Sequence, residues 1–306
     1  MAEEHSARPQ FRSARVRRWV SHLWREWTVD SWRRITPAFA KPEPARWSDD
    51  HITMAWLGHA TVLINFFGVN ILTDPALFPR IGIRLPGFTI GPKRLTAPAL
   101  TVRELPHIDL ILLSHAHFDH FDLRTLNHFD ASTRVITAAR TKDLLRWTRF
   151  KEIYELEWAA EKTLETSAGA ISITGLPVNH WGARMRKDTY RGYNGYLLER
   201  RGRRILFGGD TAATNIFAAL RARGPIDIAI MSIGCYNPWI RSHSTPEEAV
   251  EMARDAGARF IVPVHHQTSR LSFEPFREPI ERFQNALYDH PERIALREIG
   301  ETFVLP

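Results

Sequence analysis

Ile108-Asp109-Leu110-Ile111-Leu112-Leu113-Ser114 runs directly into His115-Ala116-His117-Phe118-Asp119-His120. The first seven residues are almost continuously apolar and read as a short strand buried on both faces. The next six positions hold three imidazoles and one carboxylate. A strand end of this kind is where an α/β scaffold presents catalytic groups, on a loop that solvent reaches and the sheet anchors. In extended or turning backbone His115 and His117 project to one side and can grip a single metal ion. Asp119 and His120 follow and can reach a second ion beside it. Imidazole nitrogen with carboxylate oxygen suits zinc, with iron or manganese as substitutes. A catalytic site keeps a position open for water, so further ligands are expected from distant segments without closing the shell.

His-x-His-x-Asp-His after a hydrophobic strand resembles the signature of the metallo-β-lactamase superfamily. Three later segments end apolar runs in the order that superfamily uses. They are Pro177-Val178-Asn179-His180-Trp181, Leu206-Phe207-Gly208-Gly209-Asp210-Thr211 and Ile261-Val262-Pro263-Val264-His265-His266. The resemblance implies an α+β fold, a four-layer αβ/βα sandwich of two mixed β-sheets flanked by helices, with the site along one edge between the sheets.

Several segments are similar to one branch, that of the N-acylphosphatidylethanolamine-hydrolysing phospholipase D and its bacterial relatives. They include Trp56-Leu57-Gly58-His59-Ala60-Thr61, Thr73-Asp74-Pro75, Gly91-Pro92-Lys93-Arg94 and His243-Ser244-Thr245-Pro246-Glu247-Glu248-Ala249. The likeness spans roughly residues 52–280. Carried over by position, it implies two Zn2+ per chain, one held by His115, His117 and His180, the other by Asp119, His120 and His265, with Asp210 bridging. Asp74 would orient a ligand histidine from behind, His59 would stand near the site, and His243 would contact the substrate or leaving group. Asp119, Asp210 and His243 are then the candidate catalytic groups. His266 and Gln267 depart from the branch's pattern, as does Gly192-Tyr193-Asn194-Gly195. These count as pocket positions in the sequence reading, where they touch the substrate rather than the metal chemistry. The role of His266 stays open.

With 44% apolar and 25% charged residues, 306 residues are ample for a packed core. The single cysteine, Cys235, excludes an internal disulfide and suits a reducing, cytoplasmic compartment. No apolar run reaches membrane-spanning length and no secretory leader is visible. The net charge of +7 is compatible with anionic partners and selects none.

Residues 1–50 read as a basic, Trp-rich arm ahead of a hydrolase domain over 51–306. Between Arg8 and Arg46 there are ten Lys/Arg against three acids, and five of the ten tryptophans precede position 50. Val16, Trp19, Val20, Leu23, Trp24 and Trp27 keep helical spacing, which predicts an amphipathic helix. It could lie on the protein's own body or on the inner face of a membrane. Lys41-Pro42-Glu43-Pro44 reads as an extended linker.

Within the domain, strands are expected over Met54–Asn65, Val69–Asp74, Arg134–Thr137, Ala170–Pro177, Gly195–Glu199, Arg203–Phe207, Ile226–Ile233, Arg259–Val264 and Ile294–Glu298. Helices are expected over Leu123–Phe129, Thr141–Phe150, Phe276–Leu287 and from the capping sequence Thr245-Pro246-Glu247-Glu248. Residues 75–100, rich in Pro and Gly, should form a loop over one sheet end, as a substrate rim. The leading function is hydrolysis of a lipid or small phosphodiester. The alternatives are a lactone or ester of a small phosphorylated molecule, which calls for a phosphate-binding arginine in the pocket, a nuclease, and a binding module with a vestigial metal site. Nucleic acid is the less favoured partner, and oligomeric state is not encoded legibly.

Overall fold

The computed structural model describes Ser21, residues 24–185 and residues 187–306. Its strands in chain order are β1 Ile52–Gly58, β2 Thr61–Phe66, β3 Val69–Thr73, β4 Ile83–Leu85, β5 Phe88–Ile90, β6 Leu110–Leu113, β7 Arg134–Ala138, β8 Ile153–Leu156, β9 Glu161–Thr166, β10 Gly169–Leu176, β11 Gly195–Arg200, β12 Arg203–Phe207, β13 Ile226–Ser232, β14 Ala258–Val264 and β15 Thr302–Val304. Seven of them form one sheet in the order β15-β1-β2-β3-β6-β7-β8, and six form another in the order β14-β13-β12-β11-β10-β9. Each sheet is mixed. β15 to β3 pair antiparallel, and β3-β6-β7-β8 run parallel. In the second sheet β9 to β12 are antiparallel, while β12-β13-β14 run parallel.

Residues of both sheets share one core, in which Leu63, Ile71 and Leu112 of the first pack with Leu198, Phe207 and Ile230 of the second. The opposite face of the second sheet, with Leu197, Leu206, Ala229 and Met231, is covered by helices Pro246–Asp255 and Glu278–Ala286. A strand buried on both faces is mostly apolar, and β13 is buried along its whole length, its Asp227 paired with Arg203 and the Arg204 amide. This is the metallo-β-lactamase fold, two mixed sheets with flanking helices.

Four elements differ from the sequence reading. Over Thr141–Phe150 only Lys142–Leu145 forms a 3-10 turn, because the Glu155 carboxylate takes the Thr141 and Lys142 amides (2.7 and 2.8 Å) and Arg191 grips Asp143. Over Leu123–Phe129 the α-helix stops at Leu126. Ile294–Glu298 is no strand. Ile294 makes one bridge to Ile261, then the Arg297 and Glu298 amides fold onto the Glu301 carboxylate, and the terminal strand is β15. The loop over 75–100 carries a hairpin, β4–β5. Strands β8 and β9 have no apolar run to betray them; β9 buries only Leu164.

The helix read over residues 16–27 falls mostly outside the described residues. From Glu26 on, the arm lies against the domain. Glu26 Oε1 accepts from the Lys93 amide at 2.8 Å, Asp30 pairs with Arg270 at 3.2 Å, and Thr36 exchanges backbone bonds with Leu95 and Ala97. Where a linker was read, Pro44–Arg46 turns as a 3-10 helix. Among the described residues no helix is long and apolar enough to cross a membrane.

Candidate metal centre

Each expected metal ligand leaves the end of a strand, while His243 lies between helices Tyr236–Trp239 and Pro246–Asp255. His115–His120 follow β6, Asp74 follows β3, His180 lies beyond β10, Asp210 beyond β12 and His265 immediately after β14. His59 occupies the β1–β2 turn. The backbone at these points is tightly bent: His59, Asp74 and His265 have φ of +55, +33 and +65°. L-residues rarely hold such angles unless surrounding contacts fix them, and they concentrate at functional sites. Gly209, at φ +58°, sets Asp210 in place, since a Cβ there would stand 2.8 Å from Asn194 O. Arg184 clamps the His115–His120 loop by donating to Ala116 O (3.0 Å) and Phe121 O (2.9 Å).

The side chains fall into two groups. His115 Nε2 lies 2.8 Å from His117 Nδ1, and His180 Nε2 lies 3.4 Å from the same atom. In the second group His265 Nε2 is 3.0 Å from His120 Nε2 and 3.3 Å from Asp119 Oδ2. Asp210 Oδ2 is 3.0 Å from His120 Nε2 and 3.3 Å from His265 Nε2, and also falls in one ligand-sized group with His180 and His243. The structure therefore brings together His115, His117, Asp119, His120, His180, Asp210 and His265. His59 Nε2 is 3.0 Å from Asp119 Oδ2, and His243 Nδ1 is 3.8 Å from Asp210 Oδ2.

The other ring nitrogens decide which atoms are left for a cation. Asp74, fully buried, accepts from the Ser114 amide (2.7 Å), from Ser114 Oγ (2.5 Å) and from His120 Nδ1 (2.7 Å). With the Ser114 hydroxyl proton committed to Asp74, its oxygen accepts from His115 Nδ1 at 2.8 Å. His180 Nδ1 donates to Ser242 O at 2.8 Å. So His115, His120 and His180 each spend Nδ1–H outward and aim an Nε2 lone pair inward.

Burial holds His117 neutral, its pKa pushed down to about 4, and likewise His59 and His243, each to about 3. Burial would raise the carboxyls of Asp119 and Asp210, but the facing imidazoles, His120 foremost, outweigh it and hold both well below the usual range. His120 itself is driven well above the ordinary imidazole value, because Asp210 and Asp119 outweigh burial; without a cation its Nε2 holds a proton facing them, and a metal ion would displace that proton to use the lone pair. Facing lone pairs at 2.8–3.4 Å repel unless a proton or a cation lies among them, and the buried Asp210 Oδ1 has no protein partner. The donor set fits a dinuclear metal site by its nitrogen and oxygen chemistry.

Over these groups lies a cavity of about 320 Å³. Ile81, Phe118, Trp181, Trp239 and Leu271 supply its apolar wall, and among the described residues no Lys or Arg lines it. The rim expected from residues 75–100 is present in Ile81, Gly82 and Pro92. His266 does not line it: the ring stacks on Trp56 at 4.4 Å and Nε2 lies 3.3 Å from Pro263 O, behind the site. Gln267, bonded to Arg297 O and Arg277, also faces away, and Tyr193 and Asn194 lie outside the lining. The reading of these departures as pocket positions is corrected; they support the scaffold. Ser114, Phe118, Trp239 and Ser242 belong to the site and were not singled out from sequence. Ser114 adjoins the motif, but nothing local says that its hydroxyl joins Asp74 to His115.

A family model described as β-lactamase superfamily domain matches residues 69–266. An uncharacterized protein of Mycobacterium tuberculosis is 30% identical over 84% of this chain and 69% of its own length. An N-acyl-phosphatidylethanolamine-hydrolyzing phospholipase D of Caenorhabditis elegans is 30% identical over 78% of this chain and 71% of its own. Among solved structures, a metallo hydrolase of the archaeon Ignicoccus hospitalis superposes with a TM-score of 0.63 at 18% identity, covering 83% of this chain and 98% of that one, which speaks to the fold. The chain belongs to the metallo-β-lactamase superfamily, on the side of the N-acylphosphatidylethanolamine-hydrolysing phospholipases D, and carries the buried histidine and aspartate clusters of a metal-dependent hydrolase.

Proposed function

We propose that the protein is a zinc-dependent phosphodiesterase of phospholipase D type, acting on a lipid phosphodiester similar to N-acylphosphatidylethanolamine. The observation that carries this reading is the cavity wall of Ile81, Phe118, Trp181, Trp239 and Leu271 directly above the donor groups, with no cation among its described lining residues. Such a wall accepts hydrocarbon and excludes water. A small phosphorylated lactone would call for a fixed positive group there, so the wall favours the lipid. The worm relative of that name adds support at 30% identity.

A pair of divalent cations in these two groups would supply charge for the developing oxyanion and acidify a water molecule. His115, His120 and His180 hold their inward nitrogens fixed through Ser114, Asp74 and Ser242 O. Asp210, touching His120 and His265 and grouped with His180, ties the halves of the site together and orients the nucleophile. His243, neutral in its buried position, keeps one N–H and offers a hydrogen bond to the leaving oxygen.

The test is metal content, then turnover of bis(p-nitrophenyl) phosphate, of N-acylphosphatidylethanolamine in mixed micelles and of a generic lactone. Two metals per chain with cleavage of both phosphodiesters is expected. Lactone cleavage alone would refute the substrate assignment, and no metal uptake after reconstitution would refute the site. Iron or manganese in place of zinc would correct only the metal.

A further inference from the structure

The hairpin β4–β5 projects from the rim of the cavity, and its two faces differ in kind. Ile83 pairs with Ile90 and Leu85 with Phe88, so the four share one face, while Arg84 and Thr89 share the other. Among the described residues nothing covers the apolar face: Ile83, Leu85, Phe88 and Ile90 are 43, 37, 60 and 42% exposed. An isolated two-stranded hairpin is marginal in water unless its apolar side is packed. One that turns all four apolar residues outward marks an interaction surface.

Beside it opens a cleft of about 360 Å³ lined by Arg80, Arg84, Lys93 and Arg124, with no acidic residue among its described lining; Glu26, behind it, lies 3.7 Å from Arg80. Arg80 and Lys93 are held in place by Ser31, through its hydroxyl and its carbonyl, at 2.9 and 3.0 Å. Arg124 lies over the Phe78 ring at 3.8 Å. Trp32, the residue after Ser31, is 84% exposed. Apolar side chains beside fixed cations match the layering of a bilayer surface, hydrocarbon next to phosphate.

We propose that the β4–β5 hairpin seats the protein on an anionic phospholipid bilayer: Ile83, Leu85, Phe88 and Ile90 enter the acyl boundary, and the Arg80–Arg84–Lys93–Arg124 cleft takes lipid phosphate. A second copy of this chain is the weaker occupant. Two-fold pairing through the hairpin would bring one four-cation cleft toward another, in a chain already at +7. The hairpin also adjoins the mouth of the reaction cavity, since its flanking Ile81, Gly82 and Pro92 line that cavity. A bilayer held here faces the site. The surface is independent of which bond the enzyme cleaves.

The feet of the hairpin are built tightly. Gly82 and Gly91 have φ of +133 and +145°, and a Cβ on either would stand 2.1 or 2.0 Å from a carbonyl oxygen of the opposite strand. No other residue type fits, so the hairpin's direction relative to the rim is fixed by backbone.

The experiment is cosedimentation of the full-length protein with vesicles of phosphatidylcholine alone and with added phosphatidylglycerol, at low and physiological salt, comparing wild type, Leu85→Asp/Phe88→Asp and Arg84→Glu/Arg124→Glu. Wild type is expected to bind phosphatidylglycerol vesicles. The apolar double variant should lose about tenfold or more in partition, as two hydrocarbon groups no longer leave water. The charge-reversal variant should lose binding to phosphatidylglycerol vesicles and its salt dependence. Thermal unfolding and sedimentation velocity of each variant check that fold and oligomeric state are unchanged. Failure of wild type to bind, or undiminished binding by Leu85→Asp/Phe88→Asp, overturns the proposal. A change of oligomeric state in that variant without a change in vesicle binding assigns the surface to a second copy and overturns it equally.

Discussion

Replacing Asp74 by Asn tests whether the site depends on a carboxylate that touches no metal position in the expected ligand set. The side chain is fully buried and accepts three hydrogen bonds, two from Ser114 and one from His120 Nδ1 at 2.7 Å. Asparagine keeps one acceptor oxygen for Ser114 but turns an N–H₂ toward His120 Nδ1–H. Two donors then face each other. His120 must adopt the other tautomer, with its proton on Nε2 where a lone pair is needed, or rotate away. Loss of a buried charge-assisted hydrogen bond costs about 1.5–3 kcal/mol. Mutations of groups that orient ligand histidines lower metal affinity about 10–100-fold, equivalent to about 1.4–2.7 kcal/mol, so the two routes agree. The assay is competition for Zn2+ between the variant and a chromophoric chelator, with urea unfolding of the metal-free protein as control. A folded Asp74→Asn protein that binds both ions within twofold of wild type would refute the argument that this carboxylate sets the His120 tautomer.

His117→Ala and Asp210→Ala are each expected to abolish phosphodiester turnover while retaining the sheet signature in far-ultraviolet circular dichroism; turnover in either pure variant would remove the two-ion reading. His266→Phe should leave metal content unchanged, because its ring stacks on Trp56 behind the site, and loss of an ion would show that it serves the donors. Gly209→Ala should lower stability by about 1–3 kcal/mol in urea titration and reduce activity, since a Cβ at φ +58° meets Asn194 O. Thr245→Ala removes the capping box of helix Pro246–Asp255 and should cost about 1 kcal/mol by the same titration, with activity intact.

The six-residue cluster after β6 made the site legible because ligand chemistry and strand burial coincide there in consecutive residues. Asp74, His180, Asp210 and His265 were each readable as the residue ending an apolar strand, and the fold brings them into contact. What the sequence hid is of a different kind. The Ser114 hydroxyl relays Asp74 to His115 across 40 residues, and His180 is aimed by a backbone carbonyl at Ser242, which any side chain could have supplied. The hairpin escaped because its strands are three residues long, and its alternation lies within a Gly- and Pro-rich stretch. Charged β9 lies at an open sheet edge, where water rather than a core faces most of its side chains. The helix expected over Thr141–Phe150 yielded to side-chain bonds from Glu155 and Arg191 that no local window contains.

The donors are divided between the two sheets. His115, His117, Asp119 and His120 stand on the first, His180, Asp210 and His265 on the second, and the last of these follows β14, 41 residues from the final residue of the 306. During synthesis the amino-terminal half emerges with four ligands and no complete shell for either ion. The group of His115 and His117 waits for His180, and that of Asp119 and His120 for His265, each from the other sheet. A loaded centre then reports that both halves have docked, which makes metal retention a direct gauge of correct assembly.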